Sequence, residues 1–593
     1  MLLSNSIENY LNARVAKRKN TERYFFCYNI KMNLESYAYL KKKFSLITIP
    51  EEKTYQYHHD ESIFLIVPKI VLKPSSSAEL TQIITVVSEL RDRDTDISVT
   101  LRAAGTGLSG GSLNDSVIID IMNLDSLREI DLNSEKPFIT VEPGMFYRDF
   151  EKYFKDSSLT MPIFPSSREW CAIGGMIANN AAGENTLKYG AQDSFVDSLE
   201  IILDDGNTYQ VGPVNFEKYN EIISQENRLS EIYIKLYELV KDSWSLISEN
   251  PIKSSKNVSG YPLWKLLRSN PTDFENGEGT FDITKVIIGS QGTLGLITQV
   301  RYRLVKKAQV SNLLVIPVND LSNLSSLVQQ ILLYRPEKLE LFDKRTLSLA
   351  QKFPEDFKDS FFSENYDDFL ASFQNDIIPK ISTYNPKMVI LAQLSSEDLA
   401  ICNHDIEKLA GELTGSLLVT DPLEQEIYWA IRYSSLALVA RHSKREKPAA
   451  FLEDLVIPLH NFANFYVELN NIIDEEKLKC AIHGHAGDVH LHFYPLLDFT
   501  QKNIAHRIKY LSEKFFTLAQ KYQGSISGEH NDGIIRTPYL YLIYSPEWIE
   551  LFEKTKLIFD PRNIFNPGKK VFPKFKITDS VRSDNNLGFF KTK

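Results

Sequence analysis

The sequence predicts an α+β protein of two main units, and three observations predict it. Short β-type runs alternate with helical ones from Phe64 to about Leu304. From about Ala308 the texture shifts to longer helices between fewer strands. A final glycine- and proline-punctuated stretch, 526–575, reads like the first unit again, so the C-terminus is expected to return to it. The division that follows is a helical extension over 1–60, a first domain over 61–307 and a second over 308–525. A segment over 526–575 completes the site, and a tail over 576–593 is expected to be loose.

Taken in order, MLLSNSIENYLNARVAKRKN has no apolar core of the secretory kind and is read as a solvated helix. A basic membrane-surface element up to Lys43 is the alternative. IFLIVPKIVLKP reads as a strand, and SSSAELTQIITVVSEL as a helix capped by its serine run, with Leu80, Ile83, Ile84, Val87 and Leu90 at helical spacing. ISVTLRAAG is a strand entering a glycine loop; VIIDIMNL and FITVEPG are strands; DSLEIILDDGNTYQVG is a hairpin about Asp205-Gly206. In the second unit VSNLLVIPV, KMVILAQL and FLEDLVIPL supply the strands.

Of 593 residues, 43% are hydrophobic and 24% charged, which supports a large core and excludes fibrous and disordered classes. The net charge of -10 argues against a nucleic-acid footprint. No apolar run approaches the ~18 residues of a membrane span. Cys27, Cys171, Cys402 and Cys480 lie far apart, which argues against an iron–sulfur domain, a zinc ribbon or a disulfide scaffold and fits a reducing cytoplasm.

Glycine is sparse, 26 in all, so its clusters carry meaning. RAAGTGLSGG, Arg102 to Gly111, follows an apolar strand and forms a nest of main-chain amides suited to a pyrophosphate. It lacks the G-K-[ST] of a Walker loop and does not open a Rossmann helix. PIFPSSREWCAIGGMIANNAAGENTLKYG adds small residues beside which a flat ring system fits, and GSQGTLGLIT is a third cluster. IHGHAGDVHLHF holds four of the eleven histidines, and GSISGEHNDG adds Glu529-His530. Alternate strand residues share a face, so imidazoles converging with a carboxylate make a site for Zn²⁺ or Mn²⁺.

In this order, with V-x-P-G at Val141 to Gly144 and G-Y ahead of the third cluster, the segments resemble the FAD-binding domain of the vanillyl-alcohol oxidase / p-cresol methylhydroxylase superfamily. Within it the chain is similar to the FAD-linked 2-hydroxyacid dehydrogenases acting on D-lactate, glycolate or D-2-hydroxyglutarate. The resemblance implies a two-part FAD-binding domain of the p-cresol methylhydroxylase type and an α+β substrate cap. Pyrophosphate would lie on Gly105, Thr106, Gly107, Ser109 and Gly110, with Arg102, Leu108 and Gly111 in the same loop. Pro165, Ser166, Ile173, Gly174, Gly175, Asn179 and Gly183 would line the isoalloxazine and ribityl side, flanked by Tyr189 and Gly292. Ile297 would face the adenine, and Asn566 would approach the flavin. Where covalent members carry a histidine stands Thr106-Gly107-Leu108-Ser109, so the FAD is expected to be non-covalent.

The resemblance further implies metal ligands at His485, His492 and Glu529, a general base at His530 and a carboxylate-gripping Arg432. The sequence departs from the family at Val489-His490, where Gly-Asn is usual, and at Asn531, where Gly follows E-H. His490 is expected either to hydrogen-bond substrate or to add a ligand. The expected reaction is hydride transfer from a D-2-hydroxyacid to flavin, giving the 2-oxoacid. The alternatives are oxidation of another alcohol on the same fold and a non-catalytic flavin subunit of a larger complex. Electrons would pass to a quinone, a cytochrome, an electron-transfer flavoprotein or a separate iron–sulfur subunit. The setting is expected to be cytoplasmic, with peripheral contact at the inner face of the membrane allowed.

Overall fold

The computed structural model describes residues 32–360, 370–443 and 445–583. Residues 1–31 of the expected extension and 584–593 of the expected tail lie outside these. The helix after the serine run forms over Ser77–Arg91, and Ser76 Oγ accepts the Glu79 N–H, a cap worth about 1 kcal/mol. Its Leu80, Ile83, Ile84 and Val87 are fully buried, each contributing roughly 1.5–3 kcal/mol. They pack with a parallel sheet of Ile70–Leu72, Val117–Asp120 and Val99–Arg102, in that order. The strand expected over IFLIVPKIVLKP shrinks to Ile70–Leu72, because Pro68 has no N–H to give a ladder.

A five-stranded antiparallel sheet runs Leu127–Asp131, Phe138–Val141, Leu296–Arg303, Val196–Ile202 and Thr208–Val211. The Asp205-Gly206 hairpin joins the last two, with Gly206 at φ 79°. The second unit is one seven-stranded antiparallel sheet: Leu417–Val419, Val310–Val318, Met388–Ser396, Lys338–Asp343, Ile482–His485, His490–Phe493 and Leu455–Val456. The helix Pro422–Arg441 covers one face, with Tyr428 and Ile431 in the same core as Leu313 and Val389. FLEDLVIPL keeps only Leu455–Val456 as strand, because its two acids serve side chains of the site instead of a ladder.

The chain does return to the first unit. Phe565 bridges Val99 in parallel, and the Asn566 N–H donates to the Val99 carbonyl at 2.8 Å. The tail expected to be loose from 576 instead packs as far as residue 583. Ile577–Ser580 is helical, Val581 bridges Phe64, and Arg582 is buried with its N–H on the Ile63 carbonyl. One core cluster runs through both units, so the site between them has a rigid frame. Among the described residues no helix is long and apolar enough to cross a membrane.

Candidate active site

The three glycine clusters meet. Gln291 is the hub: its Nε2 donates to Ser109 Oγ (3.2 Å) and Asn179 Oδ1 (3.3 Å), and its Oε1 accepts the Gly533 N–H at 2.8 Å. Its own N–H goes to the Ala178 carbonyl. Asn566 Nδ2 ties the carbonyls of Gly111 and Gln291 together, so this residue clamps the cleft wall. Along the first loop, the N–H groups from Gly105 to Ser112 donate to no acceptor among the described residues. Successive free amides of this kind are an anion nest. Buried Arg102 lies beneath, so close that a Cβ on Gly105 would collide with its guanidinium. Its Nη1 has no partner. At Gly107 a Cβ would meet only Asn179 Nδ2, at 4.0 Å, and at Gly292 nothing, so both peptides face open space.

The second cluster is different. Gly174 and Gly175 spend their amides on the carbonyls of Pro143 and Ala172, and a Cβ on Gly174 would lie 2.8 Å from Pro143 Cβ. Gly183 lies so close to the Phe164 carbonyl that no Cβ fits. Pro165 is half-buried and Ser166 exposed. Ile173 opens the short helix Ile173–Asn179, Leu108 and Ile297 are buried, and Thr106 is half-buried. Tyr189 donates its hydroxyl to Glu337 Oε1 at 2.9 Å. The free amides, open glycine faces and unpartnered Arg102 nitrogen fit the pyrophosphate of FAD.

The histidines stand on the hairpin Ile482–His485 and His490–Phe493, where His483 opposes His492 and His485 opposes His490. A short turn with Val489 at φ 49° closes it. His485 Nδ1 bonds Glu340 Oε1 (2.6 Å), His492 Nδ1 the Glu453 carbonyl (2.7 Å) and His490 Nε2 Asp454 Oδ1 (2.8 Å). Their other nitrogens face Glu529, and the four donor atoms lie within 4.8 Å of one another. The buried His485 Nε2 and His490 Nδ1 have no hydrogen-bond partner. Ring nitrogens held outward and bare inward, facing a carboxylate, fit a divalent metal. His483 stays outside this group and packs beside Tyr494.

Glu340, Glu453, Asp454, Asp488 and Glu529 outnumber the permanent cations Arg432, Arg536 and Lys256, and the excess is met by protons on the neighbouring imidazoles or by an added cation. Burial alone would raise the Glu340 carboxyl, but His485 and Arg432 outweigh it and hold it at about 2. Burial would lower His530; the Asp454 and Glu453 carboxylates overcome that and push it up to about 9. His530 Nδ1 bonds Glu453 Oε1 at 2.9 Å, and its Nε2 lies 3.8 Å from Glu529 Oε1. Arg432 gives Nε and Nη2 to Glu340 Oε2 at 3.0 and 2.6 Å.

The structure thus gathers His485, His490, His492, Glu529, His530 and, through Glu340, Arg432. Sequence reasoning passed over Glu340, Lys256, Arg536 and Gln291, and took Glu453-Asp454 only as part of a strand. Two adjacent acids inside FLEDLVIPL were a signal, since buried carboxylates need partners; Lys256, 3.4 Å from Glu529 Oε2, left none. The strap that carries Glu529 and His530 docks on the flavin cleft through Asn531 Nδ2, which donates to the carbonyls of Asn179 and Gly289. Asn531 sits at φ 71°, the left-handed turn for which the family uses glycine.

Comparison with known proteins agrees. Residues 68–212 match an FAD binding domain and residues 307–570 the C-terminal domain of FAD linked oxidases. D-2-hydroxyglutarate dehydrogenase of Escherichia coli (strain K12) is 24% identical over 86% of this chain and 49% of its own length. Glycolate oxidase subunit GlcD of Bacillus subtilis is 25% identical over 85% of this chain and 88% of its own length. D-lactate dehydrogenase of Archaeoglobus fulgidus is 25% identical, over 87% and 95%. The chain spans about half the length of the first of these relatives. In fold it is similar to 4-ethylphenol oxidase from Gulosibacter chungangensis, with TM-score 0.63, 13% identity, and 91% and 98% of the chains covered. p-Cresol methylhydroxylase gives TM-score 0.60 at 12% identity, with the same shares covered. With the amide nest and the histidine hairpin in place and the two domain models matched over residues 68–212 and 307–570, the chain belongs to the FAD-linked oxidase family, and its fold is similar to that of p-cresol methylhydroxylase.

Proposed function

We propose that the protein is an FAD-dependent dehydrogenase that oxidises a D-2-hydroxyacid, such as D-lactate, D-2-hydroxyglutarate or glycolate, to the 2-oxoacid with the help of a divalent metal. The observation that carries this reading is the strap Glu529–Gly533. It presents an acid and a histidine to the imidazole cluster while bonded to the second and third glycine clusters of the flavin cleft. The FAD is held without a covalent bond, since Thr106 to Ser109 offer no histidine. When bound, FAD accepts the hydride, and Zn²⁺ or Mn²⁺ on His485, His492 and Glu529 supplies Lewis acidity toward the substrate oxygens.

The chain's own groups do the rest. Glu340 fixes the Arg432 guanidinium through Nε and Nη2, which leaves Nη1 for the substrate carboxylate. That contact aims the C2 hydrogen into the flavin cleft. His530 Nε2 takes the hydroxyl proton while Glu453 holds Nδ1. A base must be neutral to accept a proton, and the surrounding carboxylates alone keep His530 protonated near pH 7. His485, His492 and Glu529 would hold a divalent ion whose charge would oppose that proton, leaving His530 Nε2 able to accept the hydroxyl proton. Electrons then pass to an acceptor such as a quinone, a cytochrome, an electron-transfer flavoprotein or an iron–sulfur subunit. The test is anaerobic: purified yellow protein should bleach at 450 nm with one of the three hydroxyacids, and chelator should slow it. Flavin that none of them reduces would point to another alcohol or to a non-catalytic flavin subunit.

A further inference from the structure

His490 is an imidazole that the family's two-histidine, one-glutamate pattern does not include. It is fully buried, and a Cβ on Gly528 would lie 2.7 Å from its Nε2, so the strap's main chain packs on the ring. We infer that His490 is a metal ligand through Nδ1, which makes the centre three imidazole nitrogens and one carboxylate. This rests on the metal-assisted reading above and deepens it.

The argument is one of proton location. Asp454 accepts from His490 Nε2, from Ser527 Oγ (2.5 Å) and from the N–H groups of Glu529 (3.0 Å) and His530 (2.9 Å). A carboxylate engaged this way only accepts, so Nε2 carries the ring proton and Nδ1 is a bare lone pair. That lone pair faces Glu529 Oε2 at 3.9 Å, acceptor against acceptor. An asparagine here would offer an N–H to substrate; this tautomer of His490 offers none. Lys256 Nζ reaches Glu529 Oε2 at 3.4 Å but gives nothing to Nδ1, and a cation bound by both atoms satisfies the facing pair. His485 and His492 repeat the pattern: one nitrogen donates to Glu340 or to the Glu453 carbonyl, and the other lies 3.6 or 3.3 Å from Glu529 Oε1.

Ligands at ~2.1 Å from one ion stand at most about 4.2 Å apart, so a set within 4.8 Å closes onto a metal by small side-chain shifts. The hairpin explains how the sequence achieves this. His485 and His490 are cross-strand partners, and Val489 takes the left-handed turn that lets a histidine follow where Gly-Asn is usual. Three imidazoles favour a borderline ion of the zinc type over manganese, which prefers oxygen donors.

The experiment uses the full chain, stripped with chelator and reloaded with Zn²⁺ or Mn²⁺. Zinc-edge X-ray absorption on the wild type should count three imidazoles; two would overturn the inference. Pulsed EPR of the Mn²⁺ form should lose one imidazole nitrogen in His490→Asn. The same variant should bind zinc more weakly by more than the ~10–100-fold that loss of an outer partner costs, with a smaller change for manganese and FAD absorbance unchanged. Equal zinc affinity in the two proteins would overturn the assignment while leaving the metal-assisted reaction intact. A wild type that retains neither metal would sink both.

Discussion

From Gly105 to Ser112 the groups presented to a ligand are main-chain amides. Across the Asn531 strap they are side-chain imidazoles and carboxylates. The first region works by subtraction: missing side chains expose peptide N–H groups, and Arg102 is the charged group beneath them. The second works by accumulation. Each functional ring is fixed by an acceptor behind it, Glu340, Asp454 or the Glu453 carbonyl, and each of those is itself buried. The difference teaches that the two regions fail in opposite ways: the nest is spoiled by added atoms, the cluster by lost ones.

The sharpest way to break that contrast is His485→Ala. It should abolish hydroxyacid turnover and metal retention while the 450 nm absorbance of bound FAD stays as in the wild type. Equal loss of flavin and activity would show that the regions are not separable. Glu340→Gln is a milder probe, because the carboxylate stands behind His485 and Arg432; metal affinity should fall by ~10–100-fold. It also carries a pH signature. An ordinary Glu titrates near ~4.3, whereas Glu340 is held at about 2. Its ion pairing therefore stabilises the fold fully above pH ~4.3 and is lost as pH falls toward about 2. The difference in melting temperature between wild type and variant should shrink across that window; a constant difference would dissociate Glu340 from the pair. The smallest effect belongs to the nest. Gly107→Ala adds a methyl where only Asn179 Nδ2 lies near, at 4.0 Å, so the apoprotein should melt unchanged. FAD should bind roughly 5- to 10-fold more weakly, the cost of about 1–1.4 kcal/mol of crowding. An unaltered FAD affinity would mean the loop faces solvent and not the cofactor.

Local chemistry made much of this readable in advance. The serine cap, the Asp205-Gly206 hairpin, the glycine loops and the paired histidines each rest on neighbours in sequence, and the structure forms them at those places. What the sequence hid depends on residues brought together from afar. Glu340 and His485 are cross-strand partners separated by 145 positions, and Lys256 reaches Glu529 from 273 positions away. No local pattern encodes such pairs. Val489 shows a further limit: a β-branched residue at φ 49° goes against backbone preference and is held there by the hairpin around it, its side chain being buried. The packed tail was missed because its polar composition outweighed the isolated contacts of Val581 and Arg582.

Thr100 and Asn566 share a hydrogen bond across 466 positions, and Asn566 in turn joins the Gly111 and Gln291 carbonyls. During synthesis, therefore, the amide nest leaves the ribosome long before the residue that locks its wall. The nascent chain holds an unfinished dinucleotide pocket until Asn566 has emerged, so stable loading with the vitamin-derived group waits for that residue.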